Sequence, residues 1–122
     1  MNFNEAIFLI KEIPVGTLIP KPKSGQAEIA RWGIRRRSPA LIYQIPNHQI
    51  PTNPHKKGVT IEEFRKAFEQ LMQSGEFKRS WFEDHLPACR KEGSCNFTTI
   101  GGIFSLIGLS EYAGPGRYRA LA

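Results

Sequence analysis

Thr60 to Gly75 constrains this chain more than any other stretch. Thr60 is a helix-capping residue, and Glu63 three positions later completes the reciprocal pattern in which each side chain bonds the other residue's backbone N–H. Ile61, Phe64, Ala67, Phe68, Leu71 and Met72 recur at steps of three and four, the spacing that lines one helical face. Gly75 stands where a left-handed C-cap is needed. The apolar face of such a helix has to be covered by the rest of the chain.

Three further helices are expected to do so. Residues 2–13 are capped by Asn2, with Glu5 three positions on, carry Phe3, Ala6, Ile7 and Ile10 on one face, and end at Pro14. Phe8 and Leu9 widen that face, which implies deep burial or self-association. Ser80 and Glu83 repeat the capping pattern for a short helix stopped by Pro87, with Trp81, Phe82 and Leu86 inward. The last helix is capped by Thr98 or Thr99, shows Ile100, Ile103, Phe104 and Ile107 as its inward stripe, and ends at Gly108. Residues 88–97 read as a looped connector. Gly101 and Gly102 allow two readings: a close approach by a phosphate backbone or another helix, or a bent first turn.

Ala40–Ile45 is apolar and aromatic between Pro39 and Pro46, which marks a core strand. Leu109–Ala113 and Arg117–Leu121 flank Gly114-Pro115-Gly116 and read as a hairpin, with Arg117 and Arg119 on one face and Tyr118 on the other. Residues 14–30 read as an extended segment and then a loop, with a short helix over Gln26–Trp32, capped by Ser24, as the alternative. Residues 46–58 hold three prolines and no periodicity, and read as a long loop. Together these elements predict an α+β fold, and a length of 122 residues predicts a single domain.

Charge is placed unevenly. The net charge is +6. Arg31, Arg35, Arg36, Arg37, Lys56 and Lys57 lie between residues 31 and 60, where there is no acidic residue. Residues 1–30 sum to zero, with three Lys against three Glu. Such a block points to an anionic partner, nucleic acid first, or else to a solvated basic face. Within it, Arg31, Trp32, Arg35, Arg36 and Arg37 interleave an aromatic ring with guanidinium groups. That pattern can grip phosphates while the ring stacks on a base, although a lone tryptophan is more often core.

Val59–Leu121 runs helix, short helix, helix, then a two-stranded ribbon with arginines beside its tip. In that order of elements it resembles a winged-helix DNA-binding domain. The resemblance implies a winged-helix-like fold with Thr99–Ile107 in the recognition-helix position and Gly114–Arg119 as the wing. Between residues 99 and 108 only Thr99 and Ser105 are polar, so contacts mainly to phosphates are expected in place of base readout.

The resulting expectation is a small basic nucleic-acid-binding protein, a homodimer acting on double-stranded DNA. Its contacts are expected from Arg31, Trp32, Arg35, Arg36, Arg37, Lys56, Lys57, Arg117 and Arg119, with no cofactor and no catalytic residue. A protein-interaction module is the alternative. Asn47, His48, Asn53 and His55 in the long loop, with Asp84 and His85, fit a nuclease reading less well, because acidic metal ligands are missing from the loop. His85, Cys89 and Cys95 give three metal-ligand types without the paired spacing of a structural zinc site, so ordinary thiols are expected. No run approaches the roughly 18 apolar residues of a membrane span. The N-terminus lacks the basic segment and long apolar run of a secretory signal, so a cytoplasmic protein is expected.

Overall fold

The computed structural model describes residues 1–23 and 25–121. The chain is α+β, with five helices and two three-stranded antiparallel sheets among the described residues. The elements in chain order are α1 (Phe3–Glu12), β1 (Glu28–Arg35), β2 (Ser38–Ile45), β3 (His55–Thr60), α2 (Ile61–Ser74), β4 (Glu76–Lys78), α3 (Arg79–His85), α4 (Pro87–Glu92), α5 (Asn96–Leu106), β5 (Ser110–Tyr112) and β6 (Arg117–Ala120). The first sheet has the order β1-β2-β3, and the second has the order β4-β6-β5. None of the described helices is long and apolar enough to cross a membrane.

The helix that opened the sequence reading forms as expected. Thr60 accepts from the Glu63 N–H at 3.1 Å, and Glu63 Oε1 accepts from the Thr60 N–H at 2.8 Å. Gly75 closes α2 with φ of 82°. Phe64, Ala67, Phe68 and Leu71 are buried, whereas Met72 is exposed. In α1, Asn2 Oδ1 accepts from the Glu5 N–H at 2.9 Å, and Phe3 meets Phe68 edge-to-face at 5.6 Å. One core joins both sheets and all five helices, with Phe77 at its aromatic centre against Phe82, Phe97 and Phe104.

Pro14–Thr17 make a turn, closed by the Thr17 N–H on Pro14 O at 3.2 Å, and residues 17–19 then run along the start of β1: the Gly16 N–H reaches Ile29 O at 2.7 Å, and the Ile19 N–H reaches Ala27 O at 2.8 Å. The helix considered for Gln26–Trp32 is instead strand β1, and its suggested cap, Ser24, lies outside the described residues. β1 and β2 pair from Glu28–Gln44 to Arg35–Ser38, with one irregularity between Ile29 and Arg31. Arg36 and Arg37 make the connection, at φ of 49° and 61°. Two positive φ values in succession are what a tight hairpin turn demands, and glycine or asparagine usually supplies them. The loop expected over 46–58 is shorter, because His55–Thr60 form β3 against β2.

Three expectations about helix starts need correction. The Ser80 cap is not used: α3 begins at Arg79, and Lys78 at its N-cap makes no side-chain capping bond. Pro87 opens α4 within the stretch expected to be looped. It does so because the first helical position loses nothing by lacking an N–H. Helix α5 begins at Asn96, before Thr98 and Thr99.

Helix α5 also revises the recognition-helix assignment. Asn96, Phe97 and every residue from Thr99 to Phe104 are buried. A Cβ at Gly101 would collide with the Tyr118 ring, and one at Gly102 with the Pro20 carbonyl oxygen. The two glycines therefore admit an aromatic ring and a backbone segment, so α5 is the centre of the core with no polar face for base edges. The expected wing is not a free ribbon, since β6 pairs with β4 as well as with β5.

Candidate anion-binding surfaces

The basic residues of the 31–60 block divide by their place on the first sheet. Directly paired residues share a face. Trp32 pairs with Leu41, and Leu41 with Val59, so Trp32 lies on the core side, where it packs half-buried against the core. Its ring is therefore placed by the core, which corrects the expectation that it stacks on a base. Arg31 pairs with Ile42 and Ile42 with Gly58, and Lys56 pairs with Gln44, which places Arg31 and Lys56 on the outer face. Ile42 is fully buried even there. The Arg31 guanidinium and the Arg35 side chain lie beside it, and Gly33 and Gly58 leave the room: a Cβ at Gly33 would collide with Arg31 Nη1, and one at Gly58 would stand 2.6 Å from Arg35 Cγ and 2.9 Å from Ile42 Cδ1.

The arginines at the turn are held by acids. Arg36 forks onto Glu63, with Nε to Oε2 at 2.8 Å and Nη2 to Oε1 at 2.7 Å. Its Nη1 donates to Glu92 Oε1 at 2.6 Å, and Nη2 also donates to the Gly58 carbonyl at 2.9 Å. Arg35 Nε donates to Glu92 Oε2 at 3.0 Å, and the Gly58 N–H donates to the same oxygen at 3.1 Å. Burial works to lower the Arg36 pKa, but the Glu63 and Glu92 hydrogen bonds and the Glu63 charge outweigh it and raise it above the ordinary arginine value. The cluster ties the β1–β2 turn to α2, α4 and the edge of β3. Lys57 joins it through a 2.8 Å bond from Nζ to the Glu92 carbonyl. Arg37, next in the chain, is exposed, and no acid pairs with it among the described residues.

Arg117 and Arg119 lie on the second sheet, exposed on the face opposite Tyr118, as the alternation implied. Arg119 pairs with Glu111, and Arg117 donates to the Ala113 carbonyl at 3.1 Å. The structure thus does not gather the nine expected contact residues into one surface.

Asn47, His85, Cys89 and Cys95, which the other two readings named, are engaged by the fold. Asn47 Oδ1 accepts from the Gln49 and Ile50 N–H groups, each at 3.1 Å, and Asn47 Nδ2 donates to Asn53 O at 3.0 Å, so Asn47 staples its own loop. His48 and His55 are exposed. The His85 ring stacks on Trp81 at 4.8 Å. Cys89 is buried and its thiol pKa is pushed up by burial. Cys95 Sγ lies 3.2 Å from Tyr43 Oη, whose proton goes to Asn96 Oδ1 at 2.6 Å. Among the described residues, no group of three or more His, Cys, Asp or Glu side chains is placed to hold a metal ion.

A pocket of about 550 Å³ opens between the two sheets, and the sequence reading did not find it. Its walls come from residues 21–23 and 25–27, the end of β2 at Ile45, Arg79, the first turn of α5, and the β5–β6 hairpin around Tyr112 and Pro115. Three cations stand in those walls, Lys21, Lys23 and Arg79, and no acidic side chain does among the described residues. Lys21 Nζ donates to Thr99 Oγ1 at 2.7 Å, to Thr98 Oγ1 at 2.9 Å and to the Cys95 carbonyl at 3.3 Å. Burial lowers the Lys21 pKa to about 8, against an opposing pull from the neighbouring Cys95 thiol and with a smaller push in the same direction from the Arg79 charge. Arg79 lies over the Phe97 ring at 4.7 Å and spends one N–H on Ser94 O at 3.1 Å. Two of these cations were hidden in a segment whose charges sum to zero; the one visible signal was the Lys-Pro-Lys run of residues 21–23. Comparisons with protein-family models, with curated proteins and with solved structures find no match to this chain.

Proposed function

We propose that the chain is a non-catalytic nucleic-acid-binding protein that contacts duplex DNA through its phosphates, from the outer face of the first sheet. One observation carries the reading. Once the ion pairs are assigned, Arg31, Arg37 and Lys56 remain on that face or at its turn without an acidic partner among the described residues. Counted along β2, Arg37 precedes Ser38, Arg31 stands opposite Ile42, and Lys56 opposite Gln44. That is a span of about 20 Å at roughly 3.3 Å per strand residue. One strand of duplex DNA presents about six phosphates over the same axial distance. Gly33 and Gly58 give the Arg31 guanidinium and the Arg35 side chain room to lie over the sheet. Glu28, held by Gln44, is the one acid in the paired rows of this face and limits the interface at that end.

The test is fluorescence anisotropy with random-sequence duplex DNA at two salt concentrations, about 50 and 200 mM, where a phosphate interface loses affinity steeply. The triple variant Arg31→Ala, Arg37→Ala, Lys56→Ala is expected to keep the parent's melting temperature. It is expected to lower the slope of log affinity against log salt by about 2 to 3, since each phosphate contact contributes about 0.9. Parent binding that ignores salt, or a triple variant that binds like the parent, sinks the proposal.

A further inference from the structure

The pocket between the sheets holds cations whose protein partners are all neutral: Lys21 lies 5.5 Å from the centre of the Tyr43 ring, and no carboxylate stands in the walls among the described residues. Lys21 is an ammonium group removed from most of its water, and its three N–H donors go to two hydroxyls and a carbonyl, all neutral. Its receptors belong to the first turn of α5, the end of a helix that carries partial positive charge. Arg79 adds a second cation, and Lys23 a third at the mouth. Like charges gathered in a partly desolvated site repel, and an unpaired buried cation is costly. The contrast with Arg36 is direct, because three of its four side-chain hydrogen bonds end on carboxylates.

The neutral parts of the wall fix what an occupant would look like. Arg79 is held in place by the Phe97 ring, and only one of its N–H groups has a protein partner among the described residues. A planar guanidinium presented in this way matches the paired oxygens of a phosphate. Lys21 has no donor to spare and acts as a fixed charge. Beside the cations, Ile45, Pro22, Pro115 and the half-exposed Tyr112 make an apolar lining suited to a flat organic body.

We propose that this pocket binds a phosphate monoester carried on a planar organic body, the chemistry shared by a free mononucleotide and by the terminal nucleotide of a nucleic-acid strand. Arg79 and Lys23 hold the phosphate, Lys21 and the α5 N-terminus supply the field, and Tyr112 meets the ring. The site shares no residue with the outer-face interface, so either can fail without the other.

Isothermal titration of the full chain with adenosine monophosphate, adenosine and inorganic phosphate tests it. The monophosphate is expected to bind with Kd between about 1 µM and 1 mM. Adenosine is expected to bind at least about tenfold more weakly, because it lacks the charge-assisted hydrogen bonds. Arg79→Met keeps a stem over Phe97 but loses the fork, and should weaken the monophosphate by about tenfold or more with an unchanged circular-dichroism melt. Lys23→Ala, at an exposed position, carries the same comparison if the Arg79 variant does not fold. A short oligonucleotide with and without a 5′-phosphate separates the sources. Preference for the phosphorylated strand over the free nucleotide assigns the site to strand ends, and the reverse assigns it to a free ligand. Adenosine binding as tightly as the monophosphate, folded Arg79 and Lys23 variants binding like the parent, or no heat and no ³¹P shift at about 10 mM ligand overturns the proposal.

Discussion

Two basic clusters in this molecule are built in opposite ways. At the β1–β2 turn, Arg35 and Arg36 meet Glu63 and Glu92, and the cations are spent on the fold. In the pocket, Lys21 and Arg79 meet hydroxyls, carbonyls and an aromatic ring, and no carboxylate stands in the walls among the described residues. The turn lies in the most basic part of the sequence, whereas Lys21 comes from a part with no net charge. Charge counted along the chain therefore says little about charge available to a partner. What decides it is whether folding brings an acid from elsewhere, as α2 brings Glu63 and α4 brings Glu92.

Arg36→Ala is expected to have the largest effect on that comparison. It strands Glu63, which is largely buried, and removes one of the two guanidinium groups on Glu92. Breaking one side of such a pair costs about 3 kcal/mol. Urea denaturation at neutral pH should show it as a lower midpoint with an unchanged slope. Arg79→Met, which strands no acid, should leave the midpoint close to the parent's. Equal losses in the two variants would erase the distinction between the clusters.

Stability against pH tests the pocket side. Lys21 titrates at about 8 in the folded chain, against the usual 10.5. Between those values the unfolded chain binds more protons at this residue, so its contribution makes stability rise as pH increases from about 8 toward 10.5. Below pH 8 the buried charge is present in both states and its cost is felt in full. Cys89, Tyr43 and Tyr118 act oppositely at the upper end, since burial raises their pKa values, that of Tyr118 to about 12. The readout is therefore the difference between the parent and Lys21→Met. Its pH-dependent part should reach on the order of 1 to 3 kcal/mol across the window. A flat difference would mean that the ammonium is adequately solvated without an anion.

The sequence made the local parts of this fold legible and the long-range parts obscure. The Thr60–Glu63 cap, the α2 stripe, the Gly75 terminus, the buried strand at 40–45 and the Arg117/Tyr118 alternation are all written within a few residues of one another. β1 was obscured because Ala30, Trp32 and Gly33 break its alternation, and because its turn has Arg-Arg where Asn-Gly is the usual signal. α4 was missed because Pro87 reads equally as a stop or as a first residue. Gly101 and Gly102 were noticed, but their reason lies far along the chain, in Tyr118 and Pro20. The candidate sites follow the same division. Arg31, Arg37 and Lys56 could be named from charge alone, while the neutralisation of Arg35 and Arg36 depends on Glu63 and Glu92, and the pocket depends on Lys21 meeting Arg79.

The smallest expected effect is the sharpest, because it compares neighbours in a single turn. Arg36 and Arg37 both have positive φ, and each carries the steric cost of a left-handed side-chain-bearing residue. Arg36 offsets that cost with its bonds to Glu63, Glu92 and Gly58. Arg37 is exposed and makes no such bonds among the described residues. Arg37→Gly should therefore stabilise the chain by about 0.5 kcal/mol, the relief of strain less the entropy that glycine adds to the unfolded state. Arg36→Gly relieves similar strain and should still destabilise strongly. If Arg37→Gly also weakens duplex binding and lowers its salt slope by about 1, Arg37 touches a phosphate. Stabilisation with no change in binding would remove Arg37 from the interface and leave Arg31 and Lys56 to carry it.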